Sequence, residues 1–198
     1  MGACKWRRSA RFSQSTSMEE LALHILDLAQ NSIAAGATEI AITVAESTTA
    51  NSLWITMADN GRGMEREVLE AVADPFFTTR TTRRVGLGIP LLKAAAELCE
   101  GSLTVESVLG RGTTVEIYFK HDHIDRVPLG DMAATIAAIV AVNPSIEVLY
   151  RHEVDGREFT FDSREVRAIC DDALLHPKII EWLKEYIAEH ERALGGEQ

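Results

Sequence analysis

The sequence predicts an α+β protein: a two-layer α/β sandwich with helices on one face of an open mixed sheet, and a small C-terminal α+β appendage. Three observations carry this. Apolar residues alternate along the chain between a period near 3.6 and a period of two. Up to residue 120 the segments run helix, two strands, helix, loop, helix, two strands. After Lys120 the pattern restarts with an Ala-rich helix and a second hairpin.

The first helix is expected over Met18–Ala35. Leu21, Ile25, Leu28 and Ser32/Ile33 recur at helical spacing, and Gly36 supplies a stop. Thr38–Ala45 and Ser52–Ala58 alternate apolar and polar residues, so both read as strands, with a polar hairpin loop between them. The run Asp59-Asn60-Gly61-Arg62-Gly63 breaks the second strand with turn residues. A short helix follows over Glu65–Val72. Asp74–Val85 is polar, rich in Thr and Arg and without period, which is loop behaviour. Gly86-Leu87-Gly88 then opens a helix over Ile89–Glu100, closed by Gly101. Ser102–Val108 and Thr113–Phe119 are strands joined by Leu-Gly-Arg-Gly. Beyond them, Pro128–Val142 reads as an apolar helix. Ile146–His152 and Arg157–Phe161 form a hairpin around Asp155-Gly156, and Pro177–His190 is an amphipathic helix. This second segment is either an appendage or a second layer packed on the first.

Residues 18–120 thus read as one domain, residues 121–198 as a small extension, and residues 1–17 as a disordered basic extension. That first stretch holds Lys5, Arg7, Arg8 and Arg11 and no acid; it weakly resembles a transit peptide, and Met18 is the expected functional start. With 198 residues, 46% of them hydrophobic and 25% charged, the chain has the composition of a protein with a packed core. A net charge of −10 argues against a nucleic-acid binder, which needs a basic face for phosphates. It leaves room for a local basic cluster at Arg80, Arg83 and Arg84. Cys4, Cys99 and Cys170 are too widely spaced for a metal site or a disulfide framework, and Cys99 reads as a core residue. The expectation is a reduced, cytoplasmic protein. No apolar run reaches the ~20 residues that cross a bilayer.

Four features carry chemistry. Asp27 and Asn31 lie four residues apart, hence on one face of the first helix. An amide oxygen can ligate a hard cation, and a nearby carboxylate can orient or deprotonate a water. An alternative is two polar residues on an exposed stripe. Asp59-Asn60-Gly61-Arg62-Gly63-Met64 sits at a strand end, where a carboxylate can accept from an exocyclic amine and glycines allow close backbone approach. Taken alone, it is also an ordinary strand–helix turn. Gly86-Leu87-Gly88 places backbone N–H groups at a helix N-terminus, which suits phosphate. It has neither the P-loop lysine nor a third dinucleotide-binding glycine. Finally, Gly112-Thr113 stands at the start of the last strand of the domain.

Occurring in this fixed order, the elements resemble the GHKL family of histidine kinases, anti-sigma serine kinases, gyrase-type topoisomerases and mismatch-repair ATPases. HILDLAQNSIAAGATEI at 24–40 is similar to the first motif of the mismatch-repair members. DPFFTTR at 74–80 and GLGIP at 86–90 are similar to the lid and second glycine box of histidine kinases, and GRGTTVEIYF at 110–119 to their closing strand. The resemblance covers about 18–120 and implies the Bergerat ATP-binding fold. It implies that Asn31 ligates Mg²⁺ on the ATP phosphates. Asp59 would take the adenine amino hydrogen, with Thr113 assisting through a water. Gly61 and Gly63 would make room beside the base, and Gly86, Leu87 and Gly88 would hold phosphate. Thr78, Thr79 and Arg80 would belong to a lid, Thr78–Arg84. Asp27 stands where hydrolytic members carry a glutamate general base, and is shorter. His24, one turn earlier, reads as a packing residue.

The resemblance also frames the subclass. About 17 to 23 residues precede the first motif, too few for the two ~30-residue helices of a phosphoacceptor hairpin. The 78-residue tail is too short for a transducer domain in its usual form. His121 and His123 read as solvated residues on a charged linker. The leading expectation is a regulatory protein kinase that acts on a partner protein in trans. The alternatives are an ATP-dependent conformational switch and an anti-sigma-like binding module with little catalysis.

Overall fold

A computed structural model describes residues 20–72, 88–170 and 176–195. The elements are α1 (Leu21–Ala34), β1 (Glu39–Ser47), β2 (Ser52–Asp59), α2 (Arg66–Val72), α3 (Gly88–Leu98), β3 (Ser102–Val108) and β4 (Gly112–Lys120). Then follow α4 (Met132–Val142), β5 (Glu147–Val154), β6 (Arg157–Asp162), α5 (Ser163–Cys170) and α6 (Pro177–Gly195). The expectations for residues 1–17 and 74–85 and for Gly86 and Leu87 fall outside the described residues.

The strands form one six-stranded sheet in the order β3-β4-β2-β1-β5-β6. All neighbours are antiparallel except β1 and β5, which are parallel, so the sheet is mixed as expected. Period-two alternation puts one set of side chains on the helix side. Ile40, Ile42 and Val44 of β1, Leu53, Ile55 and Met57 of β2, and Val115, Ile117 and Phe119 of β4 are all buried. The other set, including Trp54, Glu116 and Arg151, is exposed. Trp54 and Tyr118 pair there across β2 and β4, their ring centroids 4.8 Å apart.

Leu21, Ile25, Leu28 and Ala29 give α1 its buried stripe, and Leu92, Ala96 and Cys99 close the core from the side of α3. Each such aliphatic side chain contributes about 1.5–3 kcal/mol of burial. Helix α4 is apolar on nearly every side because it is wedged between α1 and α6. Asp131 caps it, accepting from Ala134 N at 2.8 Å, so the helix starts at Met132 rather than at Pro128.

The C-terminal segment does not sit apart as an appendage. Its strands β5 and β6 continue the same sheet beyond β1, and α4 carries the chain from β4 past β2 and β1 to β5, which runs parallel to both β1 and β4. Two further differences from the sequence reading are local. Helix α5 was not expected; it is two turns long, and among residues 163–169 Ser163 and Val166 are buried while Ile169 is exposed. Helix α6 runs past His190 to Gly195, with Leu194 extending its buried stripe.

Candidate functional site

The end of β2, the second half of α1 and the start of β4 enclose a cavity of about 620 Å³. That is inside the range of roughly 300–1,000 Å³ typical of small-molecule sites. Its walls are mainly apolar, with Leu28, Met57, Ile89, Leu109 and Val115 among them; Asn31, Ser32, Asp59 and Thr113 supply polar groups.

Asp59 ends β2, and its carboxylate is held on both oxygens. Oδ1 accepts from Gly61 N at 2.9 Å and Oδ2 accepts from Ser32 Oγ at 2.7 Å. Ser32 is buried in α1 next to Asn31, so one helical turn delivers both the half-buried Asn31 amide and the group that orients the carboxylate. The sequence reading missed Ser32. Its only signal was a hydroxyl at a position of the buried stripe, where an apolar side chain is the rule.

The turn after Asp59 is stitched on two sides. Asn60 Oδ1 accepts from Thr38 N at 2.8 Å and from Glu39 N at 2.9 Å, which ties the turn to the start of β1. Arg62 N donates to Ala35 O at 3.0 Å. On the other side, Met64 N donates to Ser107 Oγ at 2.8 Å, and that hydroxyl also meets Gly112 O and Thr113 Oγ1. Two glycines are obligatory here. Gly63, at φ +64°, would drive a Cβ into the Val108 carbonyl; Gly112, at φ +115°, would drive one into the Asp59 carbonyl. Thr113 pairs directly with Asp59 across β4 and β2, which puts its side chain on the cavity wall.

Gly88 is the first residue of α3, and the nearest side chain to it is Asp27, about 3.7 Å from where a Cβ would be. Asp27 is exposed on α1, one turn before Asn31. Asn31, Asp59, Gly63 and Thr113 thus line one cavity, Gly61 N is bonded to Asp59, and Gly88 lies next to Asp27, both outside the lining residues. Thr78, Thr79, Arg80, Gly86 and Leu87 lie outside the described residues. Among the described residues no group of three or more His, Cys, Asp or Glu side chains is arranged to hold a metal ion. His24 is buried in α1.

The family model described as histidine kinase-, DNA gyrase B-, and HSP90-like ATPase matches residues 16–123. The sensor protein kinase FleS of Pseudomonas aeruginosa is 36% identical over 110 residues, which are 55% of this chain and 27% of that protein. The sensor histidine kinase ZraS of Salmonella typhi is 33% identical over 95 residues, 48% of this chain and 20% of that one. Sporulation kinase C of Bacillus subtilis is 30% identical over 76 residues, 38% of this chain and 18% of that one. The chain therefore spans about a quarter or less of the length of these curated relatives. Among solved structures, the N-terminal domain of a DNA repair protein superposes with a TM-score of 0.50 at 17% identity, over 71% of this chain and 51% of that one, a likeness of fold. With a family match over more than half its length and the cavity where that match lies, the chain belongs to the histidine kinase-, DNA gyrase B- and HSP90-like ATPase family and carries its ATP-binding domain.

Proposed function

We propose that the protein is a regulatory kinase subunit that binds Mg-ATP in this cavity and passes the γ-phosphoryl group to a partner protein in trans. The observation that carries the reading is the doubly held Asp59 carboxylate on the wall of an apolar cavity. Fixed on both oxygens, it is a preorganised acceptor for an exocyclic amine, and the apolar walls suit a flat base. In this reading the adenine amino group donates to Asp59, with Thr113 close by, and Gly61 and Gly63 keep the turn flat beside the base. The phosphates, in this reading, run toward Asn31 and the start of α3 at Gly88.

Magnesium fits this donor set in a limited way. Asn31 is a single neutral oxygen ligand, and Mg²⁺ is commonly held by few protein ligands together with phosphate oxygens and waters. Asn31 would hold the ion; the ion would draw charge from the phosphates. Asp27, exposed one turn before Asn31, would orient water or an acceptor hydroxyl. Thr78, Thr79 and Arg80, with Gly86 and Leu87, complete the proposal as the lid and phosphate loop. The sensor kinase relatives support phosphoryl transfer over a purely structural use of nucleotide. The setting proposed is the cytoplasm; no helix among the described residues is long and apolar enough to cross a membrane.

The test is transfer from γ-labelled ATP to proteins that co-purify with the full chain. Label on a partner, absent with Asp59→Asn, is the expected result. Tight ATP binding with no labelled protein and no turnover, and a partner retained only with ATP, would replace the kinase reading with the switch.

A further inference from the structure

The sheet end opposite the nucleotide cavity carries a cluster of ionisable side chains that ATP binding does not use. Glu46, near the end of β1, lies between two imidazoles: His121 Nε2 is 2.9 Å from its Oε2 and His152 Nε2 is 3.0 Å from its Oε1. On the other side of the His152 ring, Nδ1 faces Tyr150 Oη at 3.2 Å and Glu191 Oε1 at 3.4 Å. Tyr150 Oη donates to that same Glu191 oxygen at 2.5 Å. Tyr150 is fully buried and His152 is 5% exposed.

The hydrogen-bond geometry fixes the protons. Tyr150 has one hydroxyl proton, and it is used on Glu191. His152 Nδ1 therefore meets only acceptor lone pairs, and Nε2 meets a carboxylate, so both ring nitrogens must donate. A neutral imidazole would leave one nitrogen lone pair against another acceptor inside the protein. The ring is an imidazolium between two carboxylates.

The elements joined are the informative part. Glu46 belongs to the strand that forms the middle of the ATP-binding sheet, and His121 to the connection after β4. Tyr150 and His152 are on β5, and Glu191 is on α6. Other charged groups at this end act in the same sense. Asp155, in the β5–β6 turn, accepts from Thr48 N and Thr48 Oγ1, both at 2.8 Å, and Arg157 of β6 donates to Ala193 O on α6. His190 of α6 is turned away, stacked on Phe159 with its Nδ1 at Tyr186 O.

We propose that Glu46, His152 and Glu191 form a charged latch that fastens the β5–β6–α6 segment to strand β1, with Tyr150 and His121 fixing where its protons lie. Apolar packing favours registers that keep one strand face inward, and a buried imidazolium narrows these to the register that presents both carboxylates. The latch is asymmetric in what it costs to break, because removing one carboxylate strands a buried charge. Its protonation follows the same logic. Burial of the ring pulls the His152 pKa down, but the hydrogen bonds and charges of Glu191 and Glu46 outweigh it and raise it to about 9. Glu46 is held below the usual carboxylate range by its bond to His152, against burial, and by His121.

The test has two arms, both on the full chain. In the first, the imidazole nitrogens of the wild type are followed by NMR from pH 5 to 10, with His152→Gln assigning the signal. His152 should keep both nitrogens protonated at pH 7.5 and lose a proton only as the pH approaches about 9. In the second, hydrogen exchange of Glu191→Gln is compared with wild type at one pH. Exchange should rise tenfold or more in residues 147–162 and 181–194 and stay within twofold in β2 and β4. A His152 that titrates near 6.5 overturns the proposal, and so does a folded Glu191→Gln with unchanged exchange in β5, β6 and α6. If Glu191→Gln does not fold, the first arm alone decides.

Discussion

Replacing Asp59 by Asn changes one atom and separates recognition from folding. The amide oxygen can take the place of Oδ1 and keep accepting from Gly61 N at 2.9 Å. The amide nitrogen then stands at the Oδ2 position, 2.7 Å from Ser32 Oγ. Ser32 accommodates it by giving its own proton to Leu28 O, 3.3 Å away, and accepting from the amide. The free protein should therefore keep its stability to within about 0.5 kcal/mol, as for a substitution that leaves every polar group paired. ATP is affected differently. A carboxylate acceptor for the base amine becomes an amide whose donor end faces the same region. Losing a hydrogen bond to a charged group is worth about 1.5–3 kcal/mol. At about 1.4 kcal/mol per tenfold, Mg-ATP should bind about 10- to 150-fold more weakly. Titration calorimetry with Mg-ATP, beside thermal unfolding of the free proteins, reads both numbers. An Asp59→Asn protein with wild-type Tm and affinity within threefold of wild type would refute the adenine–Asp59 contact.

Further expectations follow from the same site and its scaffold. Ser32→Ala leaves Asp59 held by Gly61 alone and should weaken Mg-ATP binding by about 1 kcal/mol, roughly fivefold, again by calorimetry. If Asn31 holds the metal as proposed, Asn31→Ala should bring the ATP affinities measured with Mg²⁺ and with a chelator close together. Gly112→Ala combines a glycine-only φ with a Cβ against the Asp59 carbonyl. It should cost about 3 kcal/mol and lower Tm by about 6–12 °C in a scanning experiment. The pH dependence has a definite sign. His152 has a folded pKa of about 9, above its ordinary 6.5, so its contribution is fully present below 6.5 and is lost as pH rises through 9. Denaturant unfolding of wild type against His152→Gln should show a difference of up to about 3 kcal/mol that shrinks over that window.

How much of this was legible in the sequence differs between the two halves. The nucleotide site is written locally. The i, i+4 spacing of Asp27 and Asn31, the strand-ending Asp59, and the glycines at 61, 63 and 88 are each defined within a few residues of chain. Of these, Asn31, Asp59 and Gly63 line the cavity, and Gly88 lies against Asp27. Local signals also gave the first eight elements, because period two and period 3.6 need no knowledge of partners. What failed were features set by neighbours distant in sequence. Ser32 reads as a helix residue until its hydroxyl is seen against Asp59, 27 positions later. His121 reads as solvated until its ring is found on Glu46, 75 positions earlier, with only 25% of its side chain exposed.

The sequence by itself determined the types of the elements apart from α5, and the exposed and buried faces of the strands. Backbone conformation and amphipathic period are properties of short stretches, and they survive without the rest of the chain. Only the tertiary structure decided that residues 147–162 extend the ATP-binding sheet rather than stand apart. A parallel pair such as Ile42 and Tyr150 is joined through a long crossover, and nothing in either strand names the other. The charged cluster that meets across that pair, from Glu46 through His152 to Glu191, spans 145 positions of chain and exists only once the sheet is assembled.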